Sequence, residues 1–194
     1  MTTGPTGIPS ATTGLTGVVP PLITPLTVDG DLDVRSLERL VGHLLDGGVH
    51  GLFVLGSTSE VAFFEDRMRD EVLDAVTGIV AGAVPILVGV IDTQTRRVLE
   101  HVRRAEARGV AGVVATAPFY AITGPEEIRT HFRVLGERAE APVYAYDLPQ
   151  CVHSKLDAAM LVELGLEGRI AGVKDSSGDD VGFRRLIERN ADAG

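Results

Sequence analysis

One pattern constrains the fold of this chain more than any other: short apolar runs alternate with longer amphipathic ones along most of its length. The short runs cover residues 18–23, 51–55, 85–91, 112–115, 142–146 and 170–174 and are rich in Val, Ile and Leu. They lack a polar face, which predicts strands buried on both sides, as in a parallel sheet. Between the first two, Val34, Leu37, Leu40, Val41, Leu44 and Leu45 recur at helical spacing and are followed by Gly47 and Gly48. This is the pattern of an amphipathic helix with a glycine stop. Further helices are predicted over residues 67–80, 96–108 and 125–139, with Pro125 in a first turn, and shorter ones over 156–164 and 180–190. The result is six strand–helix units of about 30 residues each, the size of a βαβ repeat. Right-handed crossovers between such units give a parallel sheet.

Two architectures use these units. A doubly wound sheet carries a glycine-rich phosphate loop after an early strand, whereas a barrel carries polar chemistry at the ends of many strands. No G-x-G-x-x-G follows any of the runs, and polar residues stand at several of their ends. The expectation is therefore an α/β fold, a (β/α)8 TIM barrel truncated after the sixth βα unit, because 194 residues fall short of the roughly 250 of a complete barrel. Residues 1–17, rich in Thr, Gly and Pro and without a charged side chain, are read as a disordered tail, leaving 18–194 as a partial barrel domain. Eighteen Lys and Arg against 27 Asp and Glu give a net charge of −9, which repels phosphate backbones and anionic lipid heads. Neither nucleic acid nor a membrane is an expected partner, and no apolar run approaches the length of a span. Cys151 is the only cysteine, so no disulfide framework exists within the chain, and a reducing, cytoplasmic setting is expected.

The strand ends carry the chemistry. Lys174 closes the apolar run Ile170-Ala-Gly-Val-Lys. Desolvating an ammonium there favours the neutral amine, the nucleophile of a Schiff-base lysine, although a lysine snorkelling to solvent fits the same position. Tyr146, in Tyr144-Ala145-Tyr146-Asp147-Leu148-Pro149, ends the preceding run, so phenol and amine fall at one end of neighbouring strands about 5 Å apart. A phenol so placed can relay protons, or can be a core ring with a wet hydroxyl. Gly56-Ser57-Thr58-Ser59-Glu60 follows the second run. Its small residues, backbone N–H groups and hydroxyls suit an anion or an ordinary loop. Ala117-Pro118-Phe119-Tyr120 follows the fourth and adds another phenol. The five histidines show neither H-x-H nor H-E-x-x-H spacing and are read as structural or surface residues, with no metal site expected.

The GSTSE, PFY, YDLP and GVKDSSGD segments, in this order and at these intervals, resemble the dihydrodipicolinate synthase and N-acetylneuraminate lyase family of class I, Schiff-base aldolases. The resemblance implies a (β/α)8 barrel that condenses or cleaves pyruvate or a related 2-oxo acid with an aldehyde, without cofactor or metal. It implies Lys174 as the condensing lysine, Tyr146 as the proton relay, and Gly56, Ser57 and Thr58 as the loop that holds the 2-oxo acid carboxylate. It implies, for Tyr120, a tyrosine that completes the relay across a subunit interface, and hence a homo-oligomer, dimer or tetramer.

The chain departs from that family's pattern at three positions and in its number of units. Cys151 stands where the dihydrodipicolinate synthase branch has an arginine for the aldehyde partner's carboxylate, and a thiol cannot replace a bidentate guanidinium. Asp147 stands for Asn and Ser59 for Gly, which is expected to reshape the pocket toward a sugar-acid aldehyde or a hydroxylated 2-oxo acid, with His153 as a hydrogen bonder on the aldehyde side. The fourth departure is the missing seventh and eighth units. It keeps a second reading open, a catalytically silent fragment or 2-oxo acid binding module. A phosphosugar isomerase is disfavoured, since its phosphate loops follow strands seven and eight.

Overall fold

The computed structural model describes residues 15–193, and the tail expected over residues 1–17 lies outside them except for its last three residues. Of these, Leu15 packs against the hydrophobic core. The elements run α1 (Val34–Asp46), β1 (Leu52–Val54), two 3-10 turns (Ser57–Ser59 and Val61–Phe63), α2 (Asp66–Val80), β2 (Ile86–Gly89), α3 (Thr95–Glu106), β3 (Gly112–Thr116), α4 (Pro125–Arg138), β4 (Val143–Asp147), α5 (Pro149–Val152), α6 (Ala158–Leu166), β5 (Gly172–Asp175) and α7 (Asp180–Ala193). The sheet is five-stranded, ordered β1-β2-β3-β4-β5, and every pair is parallel. Strand order that follows chain order without reversal is the winding of a barrel wall, whereas a doubly wound sheet reverses at a switch point.

The first of the six expected strands, over residues 18–23, does not form as a strand. The segment does run parallel beside β1: His50 N donates to Val18 O at 2.8 Å, Phe53 N to Pro20 O at 3.0 Å and Leu22 N to Phe53 O at 2.8 Å. Pro20 and Pro21 have no N–H to donate, so the ladder shrinks to an isolated bridge between Pro21 and Phe53. The segment still covers the β1 edge.

β1, β2 and β3 are buried at every position. Helices α1 to α4 and α6 lay their apolar stripes on the outer face of the wall, through Leu37 and Val41, Val72 and Val76, Val98 and Val102, Phe132 and Leu135, and Leu161 and Leu164. On the inner face the Tyr144 ring spreads over Gly112 and Gly172, where a Cβ would stand 2.8 Å and 3.1 Å from it, so the two glycines leave room for the ring. The acidic surplus is partly neutralised between neighbouring helices: Arg104 of α3 and Arg108 in the turn after it meet Asp66, Asp70 and Asp74 of α2, and Arg129 and Arg133 of α4 meet Glu163 of α6. Exposed pairs of this kind contribute about 0–1 kcal/mol each. Packing thins toward the end of the wall, where β5 is half-buried throughout and α7 buries no residue.

Two histidines are buried beneath the helices. His131 of α4 is 1 % exposed, and its Nδ1 and the Thr95 hydroxyl lie 2.9 Å apart. Burial lowers its pKa from 6.5 to about 4. Burial likewise lowers that of His101, against its bond to Asp92. Below pH 6.5 the unfolded chain binds protons that the folded one refuses. Stability is therefore complete above that pH and falls as the pH drops toward about 4, by at most about 3 kcal/mol for His131. Urea midpoints measured from pH 7.5 to 4.5 should fall steadily, and His131→Gln should flatten the slope.

Candidate active site

The parallel register brings the candidate residues together. Thr116 of β3 pairs with Tyr146 of β4, and Tyr146 pairs with Lys174 of β5. In-register partners point to the same face, at strand spacings of about 4.8 Å. The Lys174 Nζ lies 3.6 Å from the centroid of the Tyr146 ring and 5.4 Å from that of Phe53, and it donates to Ser176 Oγ at 2.9 Å. An ammonium over two aromatic faces is held by the ring quadrupoles at little cost in hydration. Phe53 and Tyr146 meet edge to face at 6.1 Å, so the rings fix each other. Phe53 and Ser176 belong to the site but are not singled out by the sequence pattern. Phe53 reads as one more core residue of an apolar strand, and Ser176 as one polar residue among several in GVKDSSGD.

Ser57 completes the cluster: its Oγ is 3.5 Å from the Tyr146 hydroxyl. Burial raises the Tyr146 pKa, but the Lys174 ammonium and the hydroxyls of Ser57 and Ser176 outweigh it and hold the phenol below its usual 10.0. A phenol with that bias gives up and recovers a proton more easily near neutrality. Ser57 and Thr58 are exposed on the first 3-10 turn. Gly56 is buried before it, where a Cβ would stand 2.4 Å from the Phe53 ring, so only glycine fits. Tyr120 is not brought to the cluster. It is 95 % exposed and has a φ of +78°, a strained backbone for a tyrosine.

Two of the departures do not reshape the pocket. Asp147 follows Tyr146 on β4 and so points to the opposite face. It is 1 % exposed, paired with the Lys155 ammonium, and accepts from Leu156 N at 3.1 Å. Ser59 is also buried, and its hydroxyl donates to Leu22 O at 2.5 Å, tying the turn to the segment beside β1. Cys151 and His153 are exposed, and Cys151 lines a pocket beside the cluster.

A buried polar cluster holds the loops from behind. Arg69 of α2 donates to the carbonyls of Val61, Phe64 and Ile91 at 3.1, 3.3 and 3.0 Å. Its guanidinium and the Asp92 carboxylate both lie 2.9 Å from His101 Nε2, and Arg97 donates to the same carboxylate at 2.9 Å. Burial raises the Asp92 pKa, but these bonds and that from Thr93 N outweigh it and keep the carboxylate ionised. The cluster fixes the second 3-10 turn against the exit of β2. Sequence spacing does not reveal it, because its members lie on α2, α3 and a loop. A cavity of about 730 Å³ between α3 and α4 opens on the outer helical face, away from these groups.

Comparison with known proteins agrees with this geometry. A family model described as the dihydrodipicolinate synthetase family matches residues 14–193. An uncharacterized DapA-like lyase of Halobacterium salinarum is 36 % identical over 166 residues, covering 86 % of this chain and 55 % of the relative. A 4-hydroxy-tetrahydrodipicolinate synthase of Methanosarcina mazei is 29 % identical over 176 residues, covering 91 % and 60 %. Among solved structures, YagE, a prophage protein of the dihydrodipicolinic acid synthase family from E. coli K12 in complex with pyruvate, superposes with a TM-score of 0.88 at 28 % identity, covering 92 % of this chain and 60 % of that one. Dihydrodipicolinate synthase from Bacteroides thetaiotaomicron gives a TM-score of 0.86 at 33 % identity, covering 96 % and 61 %. This chain thus spans between half and two thirds of the length of these relatives. Its winding, its strand-end cluster and its match over residues 14–193 place the chain in the dihydrodipicolinate synthetase family.

Proposed function

We propose that the chain carries the nucleophilic half of a Schiff-base lyase or aldolase acting on pyruvate or a related 2-oxo acid, with Lys174 as nucleophile and Tyr146 as acid and base. The observation that carries this reading is the Lys174 Nζ lying 3.6 Å from the Tyr146 ring centroid, beside a phenol held below its ordinary pKa. The amine attacks the ketone carbon, and the oxygen takes a proton from the Tyr146 hydroxyl to give a carbinolamine. Loss of that oxygen as water leaves an iminium. Removing a proton from C3, or cleaving the bond from C3 to C4, then leaves its electron pair in an enamine. Gly56, Ser57 and Thr58 would hold the carboxylate through backbone N–H groups and hydroxyls.

The exposure of Tyr120 supports a homo-oligomer, dimer or tetramer, in which this tyrosine completes the relay of a second copy. The lone, exposed Cys151 fits a cytoplasmic setting. The engagement of the Lys174 Nζ by Ser176 Oγ at 2.9 Å favours a second reading, a 2-oxo acid binding module without turnover.

Borohydride reduction in the presence of pyruvate separates the two. A mass gain on the wild type that is absent from Lys174→Ala is expected. Pyruvate binding by calorimetry with no trapped adduct would favour the module. Tyr146→Phe should lower turnover by about 10²–10⁴-fold. The limb of the pH–rate profile set by the phenol should lie below pH 10.0 in the wild type and vanish in that variant.

A further inference from the structure

Beside the cluster lies a second pocket, of about 300 Å³, formed by the second 3-10 turn, the exits of β2 and β3, and α5. Its walls are largely apolar and include Val61, Phe63, Ile91, Phe119, Leu148 and Val152. The polar groups on them are few: Ser57, Thr116, Cys151 and the carboxylate of Glu60. Thr116 is 2 % exposed, and its Oγ1 has no hydrogen-bond partner among the described residues. A buried hydroxyl left in that state is a position for a ligand oxygen.

The pocket shares a wall with the reaction centre. Ser57 lines it and also lies 3.5 Å from the Tyr146 hydroxyl, and Thr116 is the register partner of Tyr146. A molecule seated here therefore stands next to whatever is bound to Lys174. The electrostatics exclude one class of occupant. Among the described residues the only charged side chain on the walls is Glu60, and Cys151 offers no cation, so a carboxylate-bearing aldehyde would meet a like charge and no counterion among them. A polyhydroxylated aldehyde fares little better, because most of its hydroxyls would lose water against Phe63, Ile91, Phe119 and Val152 without gaining a partner.

We propose that this pocket is the aldehyde subsite and that it takes an aldehyde with an apolar substituent, aryl or branched alkyl, whose carbonyl oxygen accepts a hydrogen bond from Thr116. The proposal rests on the Schiff-base reading of Lys174. In the condensing direction the enamine C3 supplies the electron pair of the new bond to the aldehyde carbon. The carbonyl π pair moves to oxygen, which takes a proton from Tyr146. Water then hydrolyses the iminium, freeing the lysine amine and a 4-hydroxy-2-oxo acid with an apolar tail. The reverse order cleaves the same bond.

Binding and turnover test the pocket separately. Fluorine NMR with 4-fluorobenzyl alcohol, which cannot form an imine, should show saturable binding that weakens at least tenfold in Ala62→Trp, a substitution at an exposed position of the wall. With pyruvate present, kcat/KM for benzaldehyde should exceed that for succinic semialdehyde at least tenfold, Thr116→Val should lower the benzaldehyde value about tenfold, and Cys151→Arg should narrow or reverse the preference. A trapped pyruvate adduct without saturable binding of the alcohol, or with succinic semialdehyde as the better partner, overturns the subsite and leaves the Schiff-base reading standing. Binding of the alcohol without any pyruvate adduct overturns that reading, and the aldehyde role with it.

Discussion

Parallel pairing in register across β3, β4 and β5 sets Thr116, Tyr146 and Lys174 in one row on the inner face of the wall. Side chains alternate along a strand with a period of two, so a slip of one residue would turn Asp147 and Asp175 inward in their place and send the phenol and the amine into the helical layer. The register is held by packing on both faces. Inside, Tyr144 lies over Gly112 and Gly172; outside, the buried Asp147 carboxylate pairs with Lys155 and accepts from Leu156 N. The two residues that follow one another on β4 thus do opposite tasks, Tyr146 in the site and Asp147 in anchoring the exit of the strand.

The loops above this row are fixed by polar groups that take no part in the chemistry. Arg69 gathers three carbonyls from two connections, and Ser59 ties the first 3-10 turn to Leu22. Three carbonyls meeting one guanidinium define a turn more sharply than apolar contact can, because hydrogen bonds are directional. β1 to β3 are wholly buried, whereas β5, which carries Lys174, is half-buried along its length.

Electrostatics and apolar burial divide the site into two compartments. Around Lys174 the partners are two aromatic rings and the Ser176 hydroxyl, and Lys174 together with the hydroxyls of Ser57 and Ser176 biases the Tyr146 phenol downward. Past Ser57 the surroundings become apolar, and among the described residues the only charge on that wall is acidic. A hydrophobic wall of this kind discriminates by what it leaves unpaired.

The alternation of apolar runs and amphipathic stretches determined the winding, since continuous apolar strands separated by helices of this length have few other ways to bury both faces. It also determined that the polar residues after those strands share one end of the wall, which made Lys174, Tyr146 and the GSTSE loop legible. Local chemistry overruled the pattern once, at residues 18–23, where Pro20 and Pro21 withhold the donors that a strand needs. Only the tertiary structure decided which substitutions matter to the pocket. Asp147 and Ser59 differ from the family pattern yet face away from the pocket, whereas Phe53, Thr116 and the residues of the second 3-10 turn form the site or its wall without any signal in the sequence. The reason is geometric: a linear pattern fixes the face on which a residue lies within its own element, while contact between residues of separate elements is set by how those elements pack.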